Sequence, residues 1–139
     1  MELIANLLQT VEPNTNIQFT DEIVSGCNSI LHRNGSGQVT LRGITNQCRA
    51  RFKVFFSGNI AIPTGGTVEA ISLAISINGE PVTSTTMIQT PAAVEEFANV
   101  ASAVYIDVPV GCCLTIAVRN ISTQAIDVQN ANLIVERVA

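Results

Sequence analysis

The chain carries a single imidazole, His32, with Ser29 and Ser36 close by in sequence, so a hydroxyl–imidazole nucleophile is the first chemistry to weigh. No G-x-S-x-G elbow, one setting that exposes such a nucleophile, surrounds either serine. Geometry defines a triad, and a histidine beside a turn is ordinarily just solvated. Glu95-Glu96 offers two carboxylates, but adjacent residues point apart and read as a solvated loop. The glycines of "PTGGT" lack the lysine and the strand-to-helix setting of a phosphate loop, so they read as a turn. No catalytic residue is assigned, and the chain is expected not to be an enzyme.

The four cysteines, Cys27, Cys48, Cys112 and Cys113, include no C-x-x-C pair, and one histidine completes no standard zinc set. No metal and no cofactor is expected. Alternation places Cys112 with Leu114, Ile116 and Val118 toward a core, and Cys113 on the other side with Thr115 and Ala117. Cys113 is therefore the candidate redox or interchain thiol. A Cys27–Cys48 disulfide is left open, because pairing cannot be read from sequence.

"NQCRARFKVFF", from Asn46 to Phe56, sets Arg49, Arg51 and Lys53 at every second position. Strand periodicity sends Cys48, Ala50, Phe52, Val54 and Phe56 toward the core and gathers the three cations on the opposite face. The charge layout is uneven. Residues 1–32 hold four acids and no cation, and residues 33–53 hold five cations and no acid. The remainder holds seven acids against Arg119 and Arg137, for a net charge of −4. So few cations in an acidic chain argue against nucleic-acid binding. A protein–protein contact fits the basic strip better.

Period two dominates elsewhere as well. Ile71, Leu73, Ile75 and Ile77 alternate with Ser72, Ala74, Ser76 and Asn78, and similar alternation runs through 104–110 and 112–119. Asn34-Gly35 and Asn78-Gly79 are type I′ hairpin signals, because that turn needs positive φ at both central residues. About ten strands are expected, near 15–20, 28–33, 37–42, 47–57, 67–78, 81–89, 99–108, 112–120, 124–129 and 131–138. Residues 90–100 could make one helical turn. The pattern predicts an all-β, two-sheet antiparallel sandwich or barrel. A single domain over 15–139 follows an arm over 1–14 whose Leu3, Ile4, Leu7 and Leu8 have helix-like spacing.

The stretches "NLLQTVEPNTNIQFT", "NQCRARFKVFFSGNIAIP" and "VQNANLIVERV" occur in the order seen in TNF-like jelly rolls, which include complement globular heads. The chain resembles small proteins of this type from Gram-positive bacteria and their phages. It differs from exosporium relatives in having no collagen-like Gly-X-Y stretch. The resemblance implies a ten-strand jelly roll, a homotrimer, and a structural or ligand role without catalysis.

The small, nearly uncharged residues Ser72, Ala74, Ser76, Thr115 and Ala117 suit close packing against another subunit. With Arg49, Arg51 and Lys53 they form the candidate assembly contacts, while Leu3, Ile4, Leu7 and Leu8 form a candidate docking arm. No apolar run approaches the roughly 18–20 residues of a membrane span. "MELIANLLQTVEP" has no positive n-region, so synthesis in the cytoplasm without a secretory signal is expected. The expected function is a structural protein of a virion (capsid decoration or tail) or of a spore or cell surface. Its partners would be its own copies and a capsid or surface-layer protein. The alternative is a carbohydrate- or receptor-binding module, although no Trp and one Tyr leave few stacking platforms. No small-molecule ligand is expected.

Overall fold

Strand β6 (Arg49–Ala61) is the spine of the molecule, and the computed structural model describes residues 1–139 around it. Its alternation of polar and apolar residues is realised as alternate exposure and burial from Arg49 to Ile60. On one edge it pairs in unbroken antiparallel register with β10 (Ala98–Pro109), from Ala98 opposite Ile60 to Pro109 opposite Arg49. On the other it pairs with β12 (Ile126–Arg137). Strands β1 (Glu2–Ala5) and β3 (Asp21–Val24) extend this sheet in the order β10-β6-β12-β1-β3, and β2 (Gln9–Val11) pairs with the start of β12. We call it sheet I.

Sheet II contains β4 (Ile30–His32), β5 (Val39–Arg42), β11 (Cys113–Asn120), β7 (Ile71–Ile77) and β8 (Glu80–Pro81) in that order. β9 (Met87–Gln89) shares the free edge of β7 with β8. The two sheets enclose one apolar core of 28 residues, with Phe19, Phe52, Phe56, Leu3, Ile17 and Leu41 among its largest side chains. The core is mostly aliphatic, as the composition required.

Several sequence expectations are corrected. The first residues are neither helical nor a projecting arm: β1 is inserted between β12 and β3, and Leu3 is fully buried. The exposed surface of 6918 Å² is close to the roughly 6,900 Å² expected of a compact chain of this mass. Residues 15–20 form no strand, only a bridge from Asn16 to Arg119, although Ile17 and Phe19 still reach the core. Residues 90–97 form bends and turns without a helix, with Glu95 at a φ of 60°. The two expected last strands are one, β12, interrupted by an irregularity between Gln129 and Asn132, where Asn130 takes a φ of 56°. An asparagine tolerates that left-handed backbone better than most residues.

The two Asn-Gly signals resolve differently. Asn78 and Gly79 both have positive φ and join β7 to β8 through a two-residue loop, as a type I′ turn demands. Around Asn34-Gly35 only Gly35 is positive, and a six-residue connection separates His32 from its partner Val39.

Two buried polar groups fasten the irregular parts. Asn120 donates from Nδ2 to the Val11 carbonyl at 2.9 Å and the Gln124 carbonyl at 3.0 Å, and its Oδ1 accepts from the Ser122 amide at 2.9 Å. Between β8 and β9 the edge of β7 would be left open at Ile75. There the Thr85 hydroxyl accepts from the Ile75 amide at 3.0 Å and donates to the Val82 carbonyl at 2.6 Å. Thr85→Val keeps the shape and orphans that buried amide, so it should lower unfolding free energy by about 1–3 kcal/mol. Thr85→Ser keeps the bond and should lose only about 1 kcal/mol with its methyl. Equal losses in denaturant titrations of the two variants would contradict this role.

Candidate assembly face

The outward phase of β6 presents Arg49, Arg51, Lys53, Phe55, Ser57 and Asn59 on the outer surface of sheet I. The β10 register sets Pro109, Asp107, Tyr105, Ala103, Ala101 and Asn99 directly opposite them. β12 adds Glu136 beside Lys53, Ile134 beside Phe55 and Asn132 beside Ser57, and β1 adds Glu2 and Ile4.

The face is layered along the strands. At one end Arg51 grips Asp107 with two hydrogen bonds, Nε to Oδ1 at 2.8 Å and Nη2 to Oδ2 at 3.2 Å, and Arg49 Nε adds a contact of 3.2 Å to Oδ2. Two of the three cations thus already have an acidic partner on the next strand of the same chain. Lys53 lies between Tyr105 and Glu136 in register, with no carboxylate in ion-pair contact. Next comes an apolar band of Tyr105, Phe55, Ala103, Ile134 and Ile4. Tyr105 is 62% exposed and Ile134 36%. The far end is amide-rich, with Asn59, Asn99, Asn130 and Asn132.

The hydrogen bonds from Arg51, helped by the charges of Arg51 and Arg49, hold the Asp107 carboxyl below its ordinary value of 3.8 against the opposing pull of desolvation. The same pairing raises the Arg51 guanidinium further. A depressed carboxyl stabilises the fold fully above its unfolded value and loses that contribution as pH falls through the folded value. The Arg51–Asp107 contribution is therefore full at pH well above roughly 4 and declines as pH falls below it.

The other candidate contacts lie on the opposite side of the sandwich. Ser72, Ala74 and Ser76 on β7 and Thr115 and Ala117 on β11 share the outer surface of sheet II. Ala74 is 0% exposed, Ser76 2% and Ala117 5%. Arg119 stands opposite Ala74, and its Nη1 reaches along β7 to donate to the Gly79 carbonyl at 2.6 Å. The Ser76 hydroxyl donates to the Ala117 carbonyl at 3.3 Å. Ala74, Ser76 and Ala117 are covered from within their own chain, Ser72 and Thr115 stay partly exposed, and none of the five joins the basic strip in one patch. Leu3 of the expected docking arm is core and Ile4 belongs to sheet I, while Leu7 and Leu8 are exposed on the β1–β2 connection.

The groups weighed for chemistry stay apart. His32 Nε2 lies 3.0 Å from the Ser36 carbonyl, and the Ser29 hydroxyl accepts from Arg137 Nη1 at 2.9 Å. Glu95 is hydrogen-bonded by the Thr64 hydroxyl. No three His, Cys, Asp or Glu side chains converge as metal ligands. Cys48 and Cys112, expected in the core, are exposed, as are Cys27 and Cys113. Cys48 precedes β6 and Cys112 precedes β11, so neither follows its strand's alternation. No helix is long and apolar enough to cross a membrane.

Tyr105, Phe55 and Ile134 were not singled out from sequence. Their signal was present as apolar residues at the solvent phase of an alternating strand, most plainly in the Phe55-Phe56 pair.

The architecture is similar to two solved structures. One is the globular domain of a zebrafish complement 1qA protein, with a TM-score of 0.65 and 10% identity over 96% of this chain and 93% of that one. The other is Eiger TNF from S. frugiperda, with a TM-score of 0.69 and 12% identity over 100% of this chain and 92% of that one. No protein-family model and no curated protein sequence matches. The fold is a TNF-like jelly roll, and at these identities the likeness is one of fold alone.

The cross-strand ion pair is directly testable. Arg51→Glu sets a like charge opposite Asp107 and should lower the thermal midpoint at pH 7, and Arg51→Glu with Asp107→Arg should restore it. The deficit of the single variant should shrink below pH 4, where Asp107 is protonated in the unfolded chain. A deficit unchanged by the charge swap would contradict the pairing.

Proposed function

We propose that this chain is a non-enzymatic structural protein that self-associates as a homotrimer through the outer face of sheet I. The observation that carries the reading is the apolar band of Tyr105, Phe55 and Ile134 on a surface a lone subunit would leave wet. Contiguous exposed apolar surface marks an interaction site more often than scattered single residues do. A second feature agrees with it: β10 is a twelve-residue edge strand with no strand partner beyond β6, and long open edges invite pairing unless covered. The basic strip then frames the band and fixes orientation, with Lys53 free to meet a carboxylate of a neighbouring copy.

In this reading the assembled protein is a component of a particle or a surface: a capsid decoration or tail accessory of a phage of Gram-positive bacteria, or a spore or cell-surface protein. The TNF-like likeness noted in the sequence supports that setting. Leu7 and Leu8, exposed at the tip of the β1–β2 connection, are the contact offered to a capsid or surface-layer partner.

A second reading, a carbohydrate-binding module, is favoured by a different feature. Gln9, Glu12, Asn16, Gln18 and Gln38 line a polar cleft of about 560 Å³ whose amides could bind sugar hydroxyls. A glycan array with no binder would remove it.

For assembly, Tyr105→Arg combined with Ile134→Arg should reduce the solution mass at micromolar concentration from three chains to one of 14.7 kDa. The circular-dichroism spectrum should stay unchanged, because both side chains are on the outer face. An unaltered mass in that variant would overturn assembly through this surface.

A further inference from the structure

All four cysteines are exposed, an unusual outcome for a residue type that is ordinarily among the most buried. They also share one end of the sandwich. Cys27 lies in the β3–β4 connection, Cys48 in the β5–β6 connection, Cys112 in the β10–β11 turn, and Cys113 opens β11. Hydrogen bonds knit these connections together. The Gly43 amide donates to the Cys112 carbonyl at 2.8 Å, the Val110 amide to the Cys48 carbonyl at 3.0 Å, and the Arg42 amide to the Ser29 carbonyl at 2.8 Å. Arg137 Nη1 ties Ser29 Oγ to the Ile44 carbonyl, at 2.9 and 2.6 Å. A Cβ on Gly43 would lie 2.1 Å from the Pro109 carbonyl oxygen, so the close approach of two of these connections depends on that glycine.

This end is therefore a fixed platform of thiols. It is also apolar: Ile44, Val110 and Val138 are each exposed there by about half. The opposite end, where Leu7, Leu8, Val94 and Phe97 are exposed, holds no cysteine.

We propose that the thiol-bearing end is a covalent attachment site between copies of this chain, through disulfides joining a cysteine of one copy to a cysteine on the same end of another. A second copy is the occupant because a disulfide needs a thiol from each side, and an identical end supplies both thiols and an apolar surface to cover Ile44, Val110 and Val138. A low-molecular-weight disulfide is the oxidant. A thiolate of one copy attacks it, forming a mixed disulfide and releasing one small thiol. A thiolate of the second copy then attacks the protein sulfur of that mixed disulfide, forming the interchain bond and releasing the second small thiol. Two protein thiols are oxidised and one small disulfide is reduced to two thiols, with the protons passing to water or the leaving thiolates.

Cys27 is the best placed to begin. Burial by itself would raise its thiol above the ordinary 9.0, but hydrogen bonds from Ser29 and the nearby charge of Arg137 bring it below that value. A larger thiolate fraction favours attack on a disulfide.

The inference is separate from non-covalent assembly through sheet I, and the test keeps them apart. Reduced isotopically labelled and unlabelled protein are mixed and treated with glutathione disulfide. The expected products are dimers and larger species on a non-reducing gel that collapse with dithiothreitol, containing peptides that join a labelled to an unlabelled cysteine. Replacing all four cysteines by serine should abolish these species and leave the light-scattering mass under reducing conditions unchanged. A wild-type protein that yields only monomer, whether carrying glutathione adducts or internal disulfides, overturns the proposal.

Discussion

The double pairing of β6 is the constraint on which the rest of the molecule depends. A strand bonded on both edges over most of its 13 residues has no freedom to slip. A shift of one residue against β10 would exchange Phe52, Val54 and Phe56 for Arg51, Lys53 and Phe55 in the core. Burying two cations unpaired would cost far more than any compensating contact could return. The same register that fills the core therefore determines the outer face, including the placement of Asp107 between Arg49 and Arg51.

That face and its counterpart on sheet II solve different problems. Sheet II closes the middle of its outer surface with its own residues, and its exposed apolar side chains, Leu31 and Ile88, lie on the outer strands β4 and β9. Small side chains sit in its middle, Arg119 runs along β7, and Thr85 completes the gap between β8 and β9. Sheet I leaves aromatic and branched side chains in the open and ends in a long edge strand. Sheet I carries Phe55 and Ile134 in the middle of its outer face, where sheet II carries small side chains, an asymmetry that composition alone could not assign to a side.

Alternation made the sandwich legible, because Ile71–Ile77 and Arg49–Phe56 repeat with period two over enough residues to exclude a helix. The Asn78-Gly79 turn was equally legible, since both residues accept positive φ. What escaped was long-range. Leu3, Ile4, Leu7 and Leu8 have a spacing that suits a helix, and only the open edge of β12 makes residues 2–5 a strand. Ala74, Ser76 and Ala117 look like a contact surface because smallness in sequence does not reveal which neighbours already cover it. Cys48 and Cys112 fit a core phase by counting, but the strands begin just after them, where alternation no longer applies. Phe55 was hidden by Phe56: two adjacent aromatics in an alternating strand must face opposite ways, and one of them must be outside.

The claim that copies meet through sheet I is tested most directly by residue-level footprinting with a photo-generated carbene, at micromolar concentration and again after dilution to monomer. Assembly on this face predicts that Tyr105 and Phe55 gain label strongly on dilution while Leu31 and Ile88, exposed on sheet II, label equally in both. Equal labelling of Tyr105 at both concentrations, with protection of Leu31 and Ile88 in the concentrated sample, would contradict it.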